Sequence, residues 1–213
     1  MKLVDFAISL VYMATYVVVV PILVAIYFYK YQSKPLKILL VGLVCVLFFD
    51  VLMLFFEAKN TFLYIFSGID ALMMAGVFSV AVTNQSTGKV ILGVGFLFVP
   101  IIVLDAFFWS GLENNGYSNA LEKVFVLATV IYYLTQLLQD VEIDNLWQEP
   151  LIWVSVSVLV YNLVGLLDVF SNPMLNYSKS LYLQFYMIWC IAALFMNGCF
   201  AYAFWRSKYK SQL

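Results

Sequence analysis

The chain of 213 residues is 65% hydrophobic and only 11% charged, whereas soluble domains carry about 25% charged residues. With 11 Lys and Arg against 12 Asp and Glu, a net charge of −1 and no histidine, it offers no basic surface for nucleic acid and lacks the commonest metal ligand and general base. This composition excludes a soluble domain, a nucleic-acid-binding protein and a zinc hydrolase built on histidine ligands, and it points to a protein of the lipid bilayer.

A membrane-spanning helix needs about 20 apolar residues, and that measure predicts seven spans, near 5–29, 36–56, 61–83, 90–109, 119–138, 150–170 and 180–205. The first follows Lys2, is longer than the apolar part of a signal peptide, and ends in tyrosines and lysines without a small-residue cleavage site, so it is read as a span. Pro21 in the first span and Pro100 in the fourth each remove a backbone donor and kink a helix, whether as hinges, as pocket walls or as the prolines common in membrane helices. Cys45, Cys190 and Cys199 all fall within spans and read as packing residues. The breaks between spans are short and polar and leave little room for a separate soluble domain. The expected architecture is therefore an all-α membrane protein, a seven transmembrane helix bundle in which 1–213 forms a single integral membrane domain.

Lys and Arg set the direction of insertion. Lys30, Lys34, Lys37, Lys89, Arg206, Lys208 and Lys210 fall on one side, and Lys2, Lys59, Lys123 and Lys179 on the other. The N-terminus is expected outside and the C-terminus in the cytoplasm. Tyr27, Tyr29, Tyr31, Trp109, Trp147 and Trp205 lie near span ends, as residues of interfacial belts do. The chain also divides into three spans, a linker span and three more, and Asp50 of the second span aligns with Asn162 of the sixth, although little else matches.

The carboxylates inside the spans carry the functional reading, because an ionised carboxylate in hydrocarbon costs at least a few kcal/mol and so must face protein, water or a partner. On the expected topology Asp50, Asp70, Asp105 and Asp168 all lie in the outer half, with Asp70 about 13 Å below the outer end of the third span. Glu122 and Lys123 begin the fifth span at the same level. Glu122, Thr129 and Gln136 recur every seven residues along one stripe, Asn162, Gly165 and Asp168 share an arc of the sixth span, and Ser67 and Asp70 are three apart. Gln184 enters the seventh span at the outer level, and Asn197 lies deeper. The candidate ligand- or ion-binding residues are Asp50, Asp70, Asp105, Glu122, Lys123, Asn162, Asp168 and Gln184. Three uses of them stay open: interhelical hydrogen bonding, with Asp105 and Asp168 reaching interfacial water; an outward-facing pocket for a cationic or hydroxylated small molecule; and permeation of cations or protons, for which the inner half offers no comparable acidic pair.

No sequence feature indicates catalysis. The last span contains no lysine for a retinal Schiff base, and the chain has no phosphate loop, nucleophile elbow or paired-cysteine motif. The expected protein is not an enzyme and needs no cofactor or metal.

The run Leu137-Leu138-Gln139-Asp140-Val141-Glu142-Ile143-Asp144-Asn145-Leu146-Trp147-Gln148-Glu149-Pro150, continuing to Tyr161-Asn162-Leu163, and the ending Asn197-Gly198-Cys199-Phe200-Ala201-Tyr202-Ala203-Phe204-Trp205 resemble segments of small uncharacterised seven-helix proteins of bacterial inner membranes. Such proteins are often encoded beside sensor histidine kinases and are similar in size to seven-helix sensory modules. The resemblance covers mainly the C-terminal third and brings no site residues with it. It implies a receptor-like role in the bacterial inner membrane with a sensor kinase or other membrane signalling protein as partner. Asp140, Glu142, Asp144 and Trp147 would form the docking surface for a basic partner, although an acidic loop of this kind can also be simply solvated. A small transporter or cation channel and a structural membrane subunit are the alternatives.

Overall fold

The computed structural model describes residues 2–53, 55, 59–109, 117–140, 143–175 and 179–210, with side chains over 5–53, 55, 64–109, 117–139, 146–167 and 183–209. The described chain is overwhelmingly helical, with no strand among the described residues. Its helices are α1 (Lys2–Tyr16), α2 (Val19–Tyr27), α3 (Lys34–Met53), α4 (Lys59–Ala81), α5 (Gln85–Leu104), α6 (Tyr117–Asp140), α7 (Pro150–Leu175) and α8 (Lys179–Lys210). Seven stretches are long and apolar enough to cross a membrane: Asp5–Tyr27, Lys34–Met53, Tyr64–Ala81, Gln85–Trp109, Tyr117–Gln139, Pro150–Leu167 and Leu183–Tyr209. The chain is a multi-pass membrane protein by length and composition.

The first span is two helices because of Pro21. Proline has no N–H to offer the carbonyl of Val17, four residues earlier. The helix opens there, and the Val20 N–H bonds to Val17 O at 2.9 Å in the tighter three-residue pattern. Pro100 behaves differently: α5 runs through it, then widens into a π-helical turn at Asp105–Trp109. Other boundaries follow local chemistry. Asn84 accepts from the N–H groups of Ser86 (2.9 Å) and Thr87 (3.4 Å) and caps α5. Pro150 opens α7, where its missing donor costs nothing.

Six spans close a ring. The α1–α2 span packs on α8 and α3, α3 on α4, α4 on α6, α6 on α7, and α7 on α8. The fourth span, α5, lies outside this ring against α4. Large apolar side chains line the outside of the bundle, among them Phe6, Tyr12, Leu23, Val41, Phe96, Phe107 and Leu167. A soluble protein could not bear so much exposed apolar surface, and lipid makes it neutral.

Lipid tails are as apolar as leucine, so close packing has to hold the helices together. The α4–α5 contact shows how. A Cβ on Gly95 would overlap the Ala75 methyl, and one on Gly88 would overlap the backbone oxygen of Ser79, whereas one on Gly93 would meet nothing within 4 Å. Gly95→Ala should therefore lower the unfolding free energy in detergent by about 1–3 kcal/mol through overpacking, while Gly93→Ala leaves it unchanged or slightly raised. Thermal unfolding of the two purified variants checks this.

Candidate functional site

One half of the ring interior is mainly apolar, with Thr129, Ser155 and Ser157 the polar residues buried along the same stretches of α6 and α7. It is filled by Leu36, Leu39, Met74, Val77, Phe78, Val126, Val130, Val154, Val158, Phe200, Ala203 and Phe204 in a single cluster. The other half, toward the Asp105 end, is where the ionisable residues gather. Helical register makes the change abrupt. One turn along α4 separates Asp70 from Met74, one turn along α6 separates Glu122 from Val126, and one turn along α7 separates Asn162 from Val158.

The centre of the polar half is built on α6. Glu122 is 1% exposed, and its Oε2 lies 3.4 Å from Lys123 Nζ. Adjacent positions on a helix diverge by about 100° and do not ordinarily meet. They meet here because the lysine stem bends across α7 at Gly165, where even a methyl group would collide with the Lys123 Cδ and Cε. The ammonium then lies 5.8 Å from the centre of the Tyr161 ring, within cation–π range. Tyr161 in turn packs against Trp189 of α8, ring centres 6.0 Å apart, and Trp189 stacks on Tyr186 at 5.8 Å.

Asp70 reaches this pair from α4. Its carboxyl lies within hydrogen-bonding reach of Glu122 and in the field of the Lys123 ammonium. Glu122 Oε1 finds no donor, and neither does Asn162 Oδ1, although Asn162 Nδ2 donates to Val158 O at 2.9 Å. Two carboxyls can share a hydrogen bond only through a proton or through a donor placed between them. Two carboxylates and one ammonium leave one negative charge, so the cluster is complete only with a further proton, cation or donor group.

The remaining candidates fall in different places. Asp50, near the end of α3, is half-buried and acts electrostatically on the Tyr161 hydroxyl, as Asp70 and Glu122 do. Asp105 is fully buried, and its Oδ2 accepts the Ser118 N–H at 2.8 Å, so it satisfies the first turn of α6 from the π-helical turn of the preceding span. Gln184 is exposed. The side chain of Asp168 lies outside the described residues, as do Glu142 and the side chains of Asp140 and Asp144. Trp147 is exposed; it packs on Trp153 at 5.5 Å, and its carbonyl accepts Trp153 Nε1–H at 3.2 Å. All three cysteines are free. Two clefts, of about 280 Å³ and 220 Å³, open at the opposite end of the bundle, around Glu149.

Sequence reasoning did not place Tyr161, Tyr186 and Trp189 in the site. The only signal was aromatic residues one position from Asn162 and within the first three turns of the last helix. No protein-family model, curated protein or solved structure matches the chain.

The buried charges depend on one another. Lys123→Met leaves two acids in the bundle without a counter-ion and should cost about 3–5 kcal/mol. The double variant Lys123→Met, Glu122→Gln should recover part of that loss, with Asp70 still lacking its counter-ion. A double-mutant cycle by thermal unfolding measures the coupling, and independent, additive effects would show that the pair does not act as a unit.

Proposed function

We propose that the chain is a receptor-like sensory protein of the bacterial inner membrane, N-terminus outside and C-terminus in the cytoplasm, that binds a small cationic or hydroxylated ligand at the Asp70–Glu122–Lys123 cluster. The observation that carries this reading is the unmatched Glu122 Oε1 beside a second carboxyl, at a depth where no unpaired acceptor is tolerated without cost. A ligand ammonium or hydroxyl supplies the missing donor. The Tyr161, Tyr186 and Trp189 rings offer apolar faces beside it, the usual composition of a small-molecule site.

The apolar half of the ring favours sensing over permeation. Phe78, Phe200 and Phe204 are all 0% exposed. A close-packed apolar layer of this kind excludes water and ions. Binding in one half would bias the packing of α4, α6 and α7, and the other half would carry that shift to the fifth connection and the tail, where a sensor kinase or other signalling partner docks. Asp140, Glu142, Asp144 and Trp147 supply that surface.

A screen of small amines and polyols by thermal unfolding should find compounds that raise the wild-type midpoint, and Asp70→Asn and Glu122→Gln should abolish the rise. Cation uptake by proteoliposomes that disappears in Asp70→Asn would replace this reading with a transporter. Neutralising Asp140, Glu142 and Asp144 together should weaken co-purification of a kinase partner at least tenfold, and unchanged association would remove that route.

A further inference from the structure

The end of the bundle farthest from Asp105 carries a second polar site, independent of the first. Five elements converge there: the α2–α3 connection, the ends of α4, α6 and α8, and the start of α7. The two clefts at this end share Ser33 and Glu149 and so adjoin. The larger is also lined by Tyr133 and Gln136, the smaller by Gln32 and Ser207.

Gln32 marks the site as built. It is only 6% exposed, and its Nε2 donates to Ala25 O at 2.6 Å, satisfying a carbonyl left over in the last turn of α2. That bond fixes the amide of a residue that lines the smaller cleft, and its Oε1 is a buried acceptor with no partner. Such an atom costs free energy unless something donates to it.

Charge then selects the donor. Although Lys30, Lys34 and Lys37 flank the α2–α3 connection, no lysine or arginine lines either cleft among the described residues. Lys30 lies over the Tyr31 ring at 4.9 Å and Lys37 over the Tyr29 ring at 4.8 Å. The clefts thus keep a carboxylate, an amide oxygen and hydroxyls. Glu149 has an interaction of its own within the fold, but a carboxylate accepts about four hydrogen bonds and retains capacity. A compact ammonium with three donors fits these separated acceptors, whereas a guanidinium fork prefers two parallel ones.

We propose that the joined cleft is a binding site for a primary ammonium group, with Gln32 Oε1 and the Glu149 carboxylate as its acceptors. Ser33, Ala81, Gln136, Pro150 and Ser207 all stand at or beside span ends, so the site lies at headgroup depth. The ammonium can therefore belong to a free amine or to an ethanolamine phospholipid.

The test uses the full chain purified in detergent free of aminophospholipid. Ethanolamine should bind at least tenfold more tightly than the uncharged ethylene glycol in calorimetric titration if the source is a free amine. If the source is lipid, native mass spectrometry from mixed nanodiscs should show phosphatidylethanolamine retained over phosphatidylcholine. Either result supports the site, provided that in an Asp70→Asn background, which removes the first cluster as a binder of small amines, Glu149→Gln, which keeps the side-chain shape, lowers the preference at least tenfold. Gln32→Leu should do the same, but because Gln32 also caps α2, Glu149→Gln is the deciding variant. No preference for the amine in either format, or a preference that survives Glu149→Gln, overturns the proposal.

Discussion

A carboxylate placed in hydrocarbon must be matched from within the protein, and the Glu122–Lys123 pair is where this chain meets that demand. Much of the local architecture follows from it. Lys123 can turn back toward its neighbour only because Gly165 leaves α7 bare, and its ammonium then needs the Tyr161 face. Asp70 on α4 adds a second acid that the same ammonium must serve. Three helices that lipid alone would not hold together are joined by a charge cluster that none could carry singly.

Below that cluster the bundle changes character within one turn of helix. Met74, Val126 and Val158 form the first apolar layer, and the phenylalanines of α4 and α8 close it. The two halves therefore differ in what they can do, since the polar half is short of a donor and the apolar half resists water. A shift of α4, α6 or α7 at the cluster must pass through a close-packed interior, which responds by discrete repacking and not by gradual deformation.

The seven spans were legible because lipid imposes one length and one composition on every crossing. The inward stripes were legible in part: Glu122, Thr129 and Asn162 are buried, as helical spacing requires, whereas Gln136 is half-buried and the Asp168 side chain lies outside the described residues. The break of the first span was expected at Pro21 and lies at Val17–Val18, because the missing hydrogen bond opens the helix four residues upstream. The position of α5 outside the ring could not be read, since apolar periodicity says which face is lipid-facing but not which helix is the neighbour. Asp105 and Asp70 look alike as sequence; one serves a helix start thirteen residues later and the other meets a different helix. The lysine reaching across to Gly165 was hidden for the same reason, since a long flexible stem does not respect the 100° that separates neighbouring positions.

Among the described residues, the aromatic contacts built around tryptophan form two separate groups. Trp189, with Tyr161 and Tyr186, stands at the charge cluster. At the opposite end Trp147, Trp153, Tyr202, Trp205 and Tyr209 make a continuous ladder from the fifth connection through α7 to the end of α8, with successive ring centres 5.5, 4.8, 5.4 and 5.2 Å apart. The ladder is a mechanical strap, because it ties the fifth connection to two helices that already pack on each other. It is also an optical one. Indole emission depends on what lies against the ring, so the wild-type chain reports at one wavelength range from both ends, and replacing Trp109 and Trp189 together would leave Trp147, Trp153 and Trp205 to register any movement of α8 without an added label.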